Sequence, residues 1–228
     1  MHGTAVVLPP SDRPVAGHMR HTGRVRSLHL RPLVGRHVRL EPMTLDHADE
    51  IADATEGDRS SFGYTRVPHG PDESVEYVRW LLADAARGEA GPFVQRRIVD
   101  GRVVGCTRFL HPAWPLDRSW PDEIEIGGTW LCATAQRSAI NTEAKLLLLG
   151  HAFDEWRVQR VAICTDARNE RSRRAIERLG AQFEGILHRH RASTHAGEED
   201  RLRDTALYAV TVDRWDEVRT RLLALVEA

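Results

Sequence analysis

The sequence predicts a mixed α/β (α+β) fold in a single domain, and three observations carry that expectation. Apolar residues alternate along several short runs, as half-buried strands require, and recur at spacings of three and four along others, as helices require. These runs follow one another as strand, two helices, hairpin, strand, helix, strand, helix, two strands and a closing helix, with no internal repeat. The chain of 228 residues, 41% hydrophobic and 29% charged, is long enough for one proper core and ordinary in composition for a soluble protein.

Residues 1–34 hold one acid, Asp12, against Arg13, Arg20, Arg24, Arg26 and Arg31, and show no apolar periodicity. They read as a disordered basic N-terminal arm ahead of a domain at 35–228, with Met19 a second candidate start. No continuous apolar segment there suggests a secretory signal. Val38 and Leu40 mark the first strand, and Asp46 to Thr55 a helix after a cap near Thr44. Pro71 and Asp72 open the next helix, whose stripe is Val75, Val78, Leu81 and Leu82 and whose end is Gly88. Between the helices, residues 57–70 form a polar loop whose Phe62 and Tyr64 either line a pocket or anchor the loop.

Phe93 to Val99 and Val103 to Leu110 are strands joined by Asp100-Gly101, a strong hairpin turn. Glu123 to Leu131 is a long strand. The stretch from Gln136 to Trp156 follows, a polar turn and then an apolar helical run with Asn141 or Thr142 as cap. Arg160 to Thr165 is a strand and Asn169 to Leu179 a helix ended by Gly180. Gln182 to His190 and Thr205 to Val212 are strands, separated by a charged loop from His195 to Arg203, and Trp215 to Val226 closes the chain as a helix.

The net charge is −1 and no apolar run reaches the length of a bilayer span, so neither a nucleic acid nor a membrane is expected as partner. The arginine-rich arm alone would support only weak, salt-dependent nucleic-acid contact. Cys106, Cys132 and Cys164 lie in strand-like runs without paired spacing, which suits a reducing cytoplasm. Of 32 basic residues only Lys145 is lysine.

Two strand-to-helix turns stand out: Glu123 to Leu131 leading to Asn141, and Arg160 to Thr165 leading to Asn169. If the strands are parallel neighbours joined by the intervening helix, both turns open onto one cleft. Unpartnered N–H groups and the helix dipole make each a place for an anion. Neither Gly-x-Gly-x-x-Gly nor a Gly-Lys-Ser/Thr ending is present, so a dinucleotide fold and a nucleotide P-loop are not supported.

Gln136-Arg137-Ser138-Ala139-Ile140-Asn141, continued by Thr142-Glu143-Ala144-Lys145, resembles the acyl-CoA pyrophosphate motif of the GNAT N-acyltransferases. The continuation is similar to the branch containing ribosomal-protein alanine acetyltransferases. Asn169-Glu170-Arg171-Ser172 and the ending Leu179-Gly180-Ala181 resemble the same branch, and the likeness spans about residues 36–215. It implies a mostly antiparallel, twisted sheet with helices on both faces and its central strands splayed to admit acetyl-CoA or another acyl-CoA as cosubstrate. It also implies transfer to a primary amine, of a protein N-terminus or a small molecule, by direct attack. Leu131, Gln136, Arg137, Ser138, Ala139, Ile140, Asn141 and Thr142 would bind the cosubstrate, Asn169 its pantetheine arm, and Ser172 would donate to the sulfur. A homodimer is compatible with the resemblance, as dimers are common among relatives.

Glu125 lies between Ile124 and Ile126 and so points away from them; in a central strand it must be ion-paired or raised in pKa, and it is the candidate base. His190 is the reserve, beside His188; the two histidines lack a third ligand, and no metal is expected. In some relatives the strand after the second motif carries a carboxylate where this chain has Arg191. Two further departures are Ala139, where a glycine is usual, and Gly128, whose missing side chain would enlarge the acyl or acceptor pocket. With the missing carboxylate, Ala139 also leaves open an alternative: a CoA-binding module of the same fold with impaired catalysis.

Overall fold

The computed structural model describes residues 26–195, 197–198 and 200–228. Among them, eight strands form one sheet in the order β1-β2-β3-β4-β5-β6-β8-β7. These are β1 (Leu33–Val34), β2 (Val38–Pro42), β3 (Ala90–Arg97), β4 (Val103–Ala113), β5 (Glu123–Leu131), β6 (Arg160–Asp166), β7 (Gln182–Ala192) and β8 (Leu202–Thr211). All neighbours are antiparallel except β5 and β6, which are parallel because a helix crosses between them.

Five α-helices cover the sheet: α1 (Ala48–Thr55), α2 (Gly70–Ala86), α3 (Ile140–Gly150), α4 (Glu170–Leu179) and α5 (Trp215–Glu227). On one face α1 and α2 pack Ile51, Val78 and Leu81 against Val94, Cys106 and Trp130. On the other, α3, α4 and α5 bury Leu148, Ile176 and Leu222 against Phe109, Ile126 and Tyr208. Pro71 in the first turn of α2 lacks the N–H that a helix start would leave unpaired, and Gly180 ends α4 at φ 98°. Asp100-Gly101 turns the β3–β4 hairpin with Gly101 at φ 70°. Beyond Gly150, α3 runs on as a π-helical turn, His151–Glu155, to the buried Trp156.

The predicted arm needs correction at its end. Residues 1–25 lie outside the described residues, but 26–34 are packed on the domain: Leu28 and Leu33 are buried, and β1 pairs with β2. Arg26 pairs with Asp117 and Arg31 with Glu155. Gly91 leaves the room this requires, since a Cβ there would come within 2.9 Å of Leu30. Three leucines on an extended segment carry too little periodicity to be read as structure.

Glu143, in the first turn of α3, clamps the entry to the domain. Its carboxylate accepts the N–H groups of Arg36 and His37, each at 2.7 Å, and of Val38 at 2.9 Å. The carboxyl thus holds the β1–β2 turn to the helix that follows the first motif.

Candidate active site

The site begins where β5 and β6 part. Only Glu123, Ile124 and Glu125 pair with β6, opposite Arg160, Val161 and Ala162. Beyond Glu125, β5 remains on β4 while β6 remains on β8 as far as Asp166. Gly127 faces Arg108 and Trp130 faces Cys106, so Gly128 and Thr129 together oppose the single residue Thr107 in a β-bulge. The bulge shifts the side-chain alternation by one. Ile124 and Ile126 point under α3, whereas after the bulge Leu131 does so and Trp130 points to the α2 face. Gly128 takes φ 57°, a conformation that costs a glycine little. Gly105 is required beside it, because a Cβ would stand 2.1 Å from the Trp130 carbonyl oxygen.

Both strands then turn into helices on the same face. In the first turn the left-handed residue is Arg137, at φ 57°, while Ala139 is in ordinary helical conformation at φ −65°. The left-handed bend of the turn thus falls two residues before Ala139, whose methyl group remains at the position where a glycine is usual. Neither Asn141 nor Thr142 is the cap; that position is Ala139, which has no side chain to offer. Glu143 is the first helical N–H to reach a backbone carbonyl, that of Ala139 at 2.9 Å, so the N–H groups of Asn141 and Thr142 have no intrahelical acceptor. The Ser138 hydroxyl donates to the Ala135 carbonyl at 2.7 Å. Gln136 ties the turn down, its Nε2 donating to Ser61 Oγ at 2.7 Å and to the Leu131 carbonyl at 2.9 Å. Ile140 is buried, and Thr142 Oγ1 accepts from Arg178 at 3.2 Å.

In the second turn the Asn169 Oδ1 accepts the Ser172 N–H at 3.1 Å, an N-cap. Its amide nitrogen is left over as a donor. Ser172 is half-buried, and its hydroxyl bonds no other group among the described residues. Arg171 donates to the Ser61 carbonyl at 2.6 Å, so the loop between α1 and α2 is held by both motif turns. Phe62 anchors that loop, edge-on to Trp130 at 5.8 Å between centroids. Tyr64 faces His195 at 5.1 Å.

Glu125 stands at the apex of the splay on the α2 face, 5% exposed. Arg191 donates to both its oxygens at 2.9 and 2.8 Å, and His111 Nδ1 is 3.2 Å away. Burial alone would raise its pKa, but the hydrogen bonds from His111 and Arg191 and the guanidinium charge outweigh this and hold it at about 2. A carboxylate so held is a feeble base near neutral pH. Arg191, which stands where some relatives carry a carboxylate, thus serves a carboxylate contributed by another strand. His190 is exposed and close enough to feel Arg191, Glu125 and His111; desolvation and then the arginine charge lower its pKa below 6.5. The structure gathers Glu125, His111, Arg191 and His190 at one end of the wedge, while Ser172 belongs to α4, which packs on the face opposite α2. His188 pairs with Asp204 at 2.9 Å, and among the described residues no three His, Cys, Asp or Glu side chains gather as a metal site.

Three groups were not foreseen. Lys145 is buried, its Nζ 2.6 Å from Thr129 Oγ1 and 3.2 Å from Thr107 Oγ1, and desolvation lowers its pKa to about 7. His111 sits at the end of β4 with φ 48°. Arg108 fills the space expected to be open at Gly128, where a Cβ would lie 2.6 Å from Arg108 Nε. Residue type could have flagged Lys145, the lone lysine of the chain; nothing local to the sequence points to the other two.

Residues 37–182 match the model of the acetyltransferase (GNAT) domain family. Over 155 residues the chain is 40% identical to the "Putative ribosomal N-acetyltransferase YdaF" of Bacillus subtilis (strain 168), covering 67% of this chain and 81% of that protein. A GCN5-related N-acetyltransferase from Brucella melitensis superposes with a TM-score of 0.74 at 26% identity, over 86% of this chain and 85% of that one. Mycobacterium smegmatis RimJ in complex with CoA-disulfide superposes at 0.66 and 23% identity, over 86% and 93% of the two chains, a likeness of fold. The fold is that of an acetyltransferase of this architecture. The chain belongs to the GNAT acetyltransferase family and is an acetyl-CoA-dependent enzyme. Among the described residues no helix is long and apolar enough to cross a membrane.

Proposed function

We propose that the protein transfers the acetyl group of acetyl-CoA to a primary amine, of a protein N-terminus or a small molecule, by direct attack. The observation that carries this reading is the splay beyond Glu125, open between the uncapped start of α3 and the free hydroxyl of Ser172. The turn from Gln136 to Thr142 would receive the pyrophosphate on the N–H groups around Ser138, Ala139, Asn141 and Thr142, and the Asn169 amide would hold the pantetheine arm. As the amine nitrogen bonds to the carbonyl carbon, the carbon–sulfur bond breaks and the Ser172 hydroxyl donates to the departing thiolate. The ammonium formed on the acceptor gives its proton to His190, which is neutral at pH 7. Glu125 keeps its charge and orients Arg191 and His111.

The test is thiol release from acetyl-CoA over a panel of N-terminal peptides and small amines. Ser172→Ala should lower turnover with little change in acetyl-CoA affinity by calorimetry, because the donor matters most once sulfur is charged. Tight acetyl-CoA binding with no thiol release from any amine would instead identify a CoA-binding module.

A further inference from the structure

Arg66 and Arg108 share one indole. The guanidinium carbon of Arg66 stands 4.6 Å from the Trp80 ring centroid and that of Arg108 4.9 Å. The Nε and Nη1 of Arg108 are buried without a hydrogen-bond partner among the described residues. Buried guanidinium N–H groups left unmade are costly, and two cations on one ring repel. Among the described residues no carboxylate pairs with Arg66 or Arg108; along α2, which carries Trp80, Glu73 accepts the His69 N–H, Glu76 pairs with Arg79, and Asp84 with Arg87. Glu125 is taken by Arg191 and His111. The pair is built into the wedge, because Arg108 lies on the bulge at Gly128, where any side chain would displace it. It sits on the α2 face, across the sheet from α3 and α4.

We infer that Arg66 and Arg108 bind an oxyanion carried by the acceptor, so that the acceptor is an amine bearing a carboxylate or phosphate. The assignment rests on the acetyltransferase reading, which puts the cosubstrate on the α3 and α4 side and leaves this side to the amine. Guanidinium forks suit such groups, and an oxyanion set against the two would neutralise the paired charges. Trp80 supplies a flat wall that holds both cations.

Two measurements on the full chain test this. With CoA saturating, so that its own phosphate sites are filled, succinate and inorganic phosphate are titrated by calorimetry as carboxylate and phosphate probes. At least one should bind; exposed Arg66→Gln should weaken it roughly tenfold, Arg108→Gln should abolish it, and Arg108→Lys should keep part of it. In thiol release, amines carrying a carboxylate or phosphate should be acetylated with roughly tenfold higher kcat/KM than their amide or dephosphorylated counterparts, and Arg66→Gln should erase that preference by raising KM. Wild-type protein that binds neither probe, or binds both as well after Arg66→Gln, overturns the site. Anion binding that depends on Arg66 without thiol release from any amine would sustain the site and refute the acetyltransferase reading.

Discussion

A carboxylate in the middle of a sheet must be paired or protonated, and at Glu125 pairing by Arg191 and His111 prevails. Glu125→Gln should therefore leave the acidic limb of the pH–rate profile in place, while His190→Gln should remove it and cost about a hundredfold or more in turnover. Loss of the limb in the glutamine variant at 125 would restore Glu125 as base. The depressed pKa also fixes the sign of its contribution to stability. That contribution is complete above the ordinary 4.5 and is lost as pH falls toward about 2, so the wild-type advantage over Glu125→Gln in urea should shrink between pH 5 and pH 3. At Ala139, φ −65° is an ordinary helical angle, so glycine would relieve no backbone strain there. Ala139→Gly should leave acetyl-CoA affinity unchanged or slightly weaker, at a stability cost of about 1 kcal/mol or less. Tighter binding by calorimetry would show that the methyl group does crowd the pyrophosphate.

At the level of elements, periodicity and punctuation located nearly everything that is locally determined. The bounds of β5 are those read from alternation, and Gly180, Asp100-Gly101 and Pro71 stop or start their elements for the reasons their chemistry gives. What alternation could not carry is the bulge. A strict period of two continues through Gly127 and Gly128, whereas the real strand spends an extra residue there and hands to Arg108 the space that a missing side chain at Gly128 suggests is open. The partner of Glu125 lies 66 residues away, beyond any local pattern, so Arg191 read only as a missing carboxylate. The segment 26–34 failed for a related reason: its leucines find their neighbours on β2, β3 and α3. A chain beginning at residue 35 should consequently melt lower than one beginning at residue 26. Removing the buried Leu28 and Leu33 forfeits about 1.5–3 kcal/mol of burial each, and at this size each kcal/mol is worth about 2–4 °C, so a loss of roughly 10 °C is expected by calorimetry. Equal melting temperatures would mean that β1 adds nothing to the fold.

Over the whole molecule, the titratable groups that burial disturbs most make stability a function of pH on the alkaline side as well. Lys145 is neutral in the folded protein above about 7 but protonated in the unfolded chain up to its ordinary 10.5, so folding releases a proton in that window and stability rises with pH. The thiols act in the opposite sense. Burial raises Cys164 to about 12 and pushes Cys106 up as well, so both keep their protons where unfolded thiols ionise, from about 9 upward, and stability falls there. The urea midpoint of the wild-type protein should therefore climb from pH 7 to a maximum between 8 and 9 and then decline. Lys145→Met isolates the first effect. Methionine fills a comparable volume, and Thr107 and Thr129 still hydrogen-bond each other at 2.9 Å, so the variant should be at least as stable as the wild type at pH 7 and lose the climb between pH 7 and 8.5 while keeping the decline above 9. If the variant climbs as the wild type does, the buried amine stays charged in the folded protein, and its bonds to Thr107 and Thr129 are then those of an ammonium.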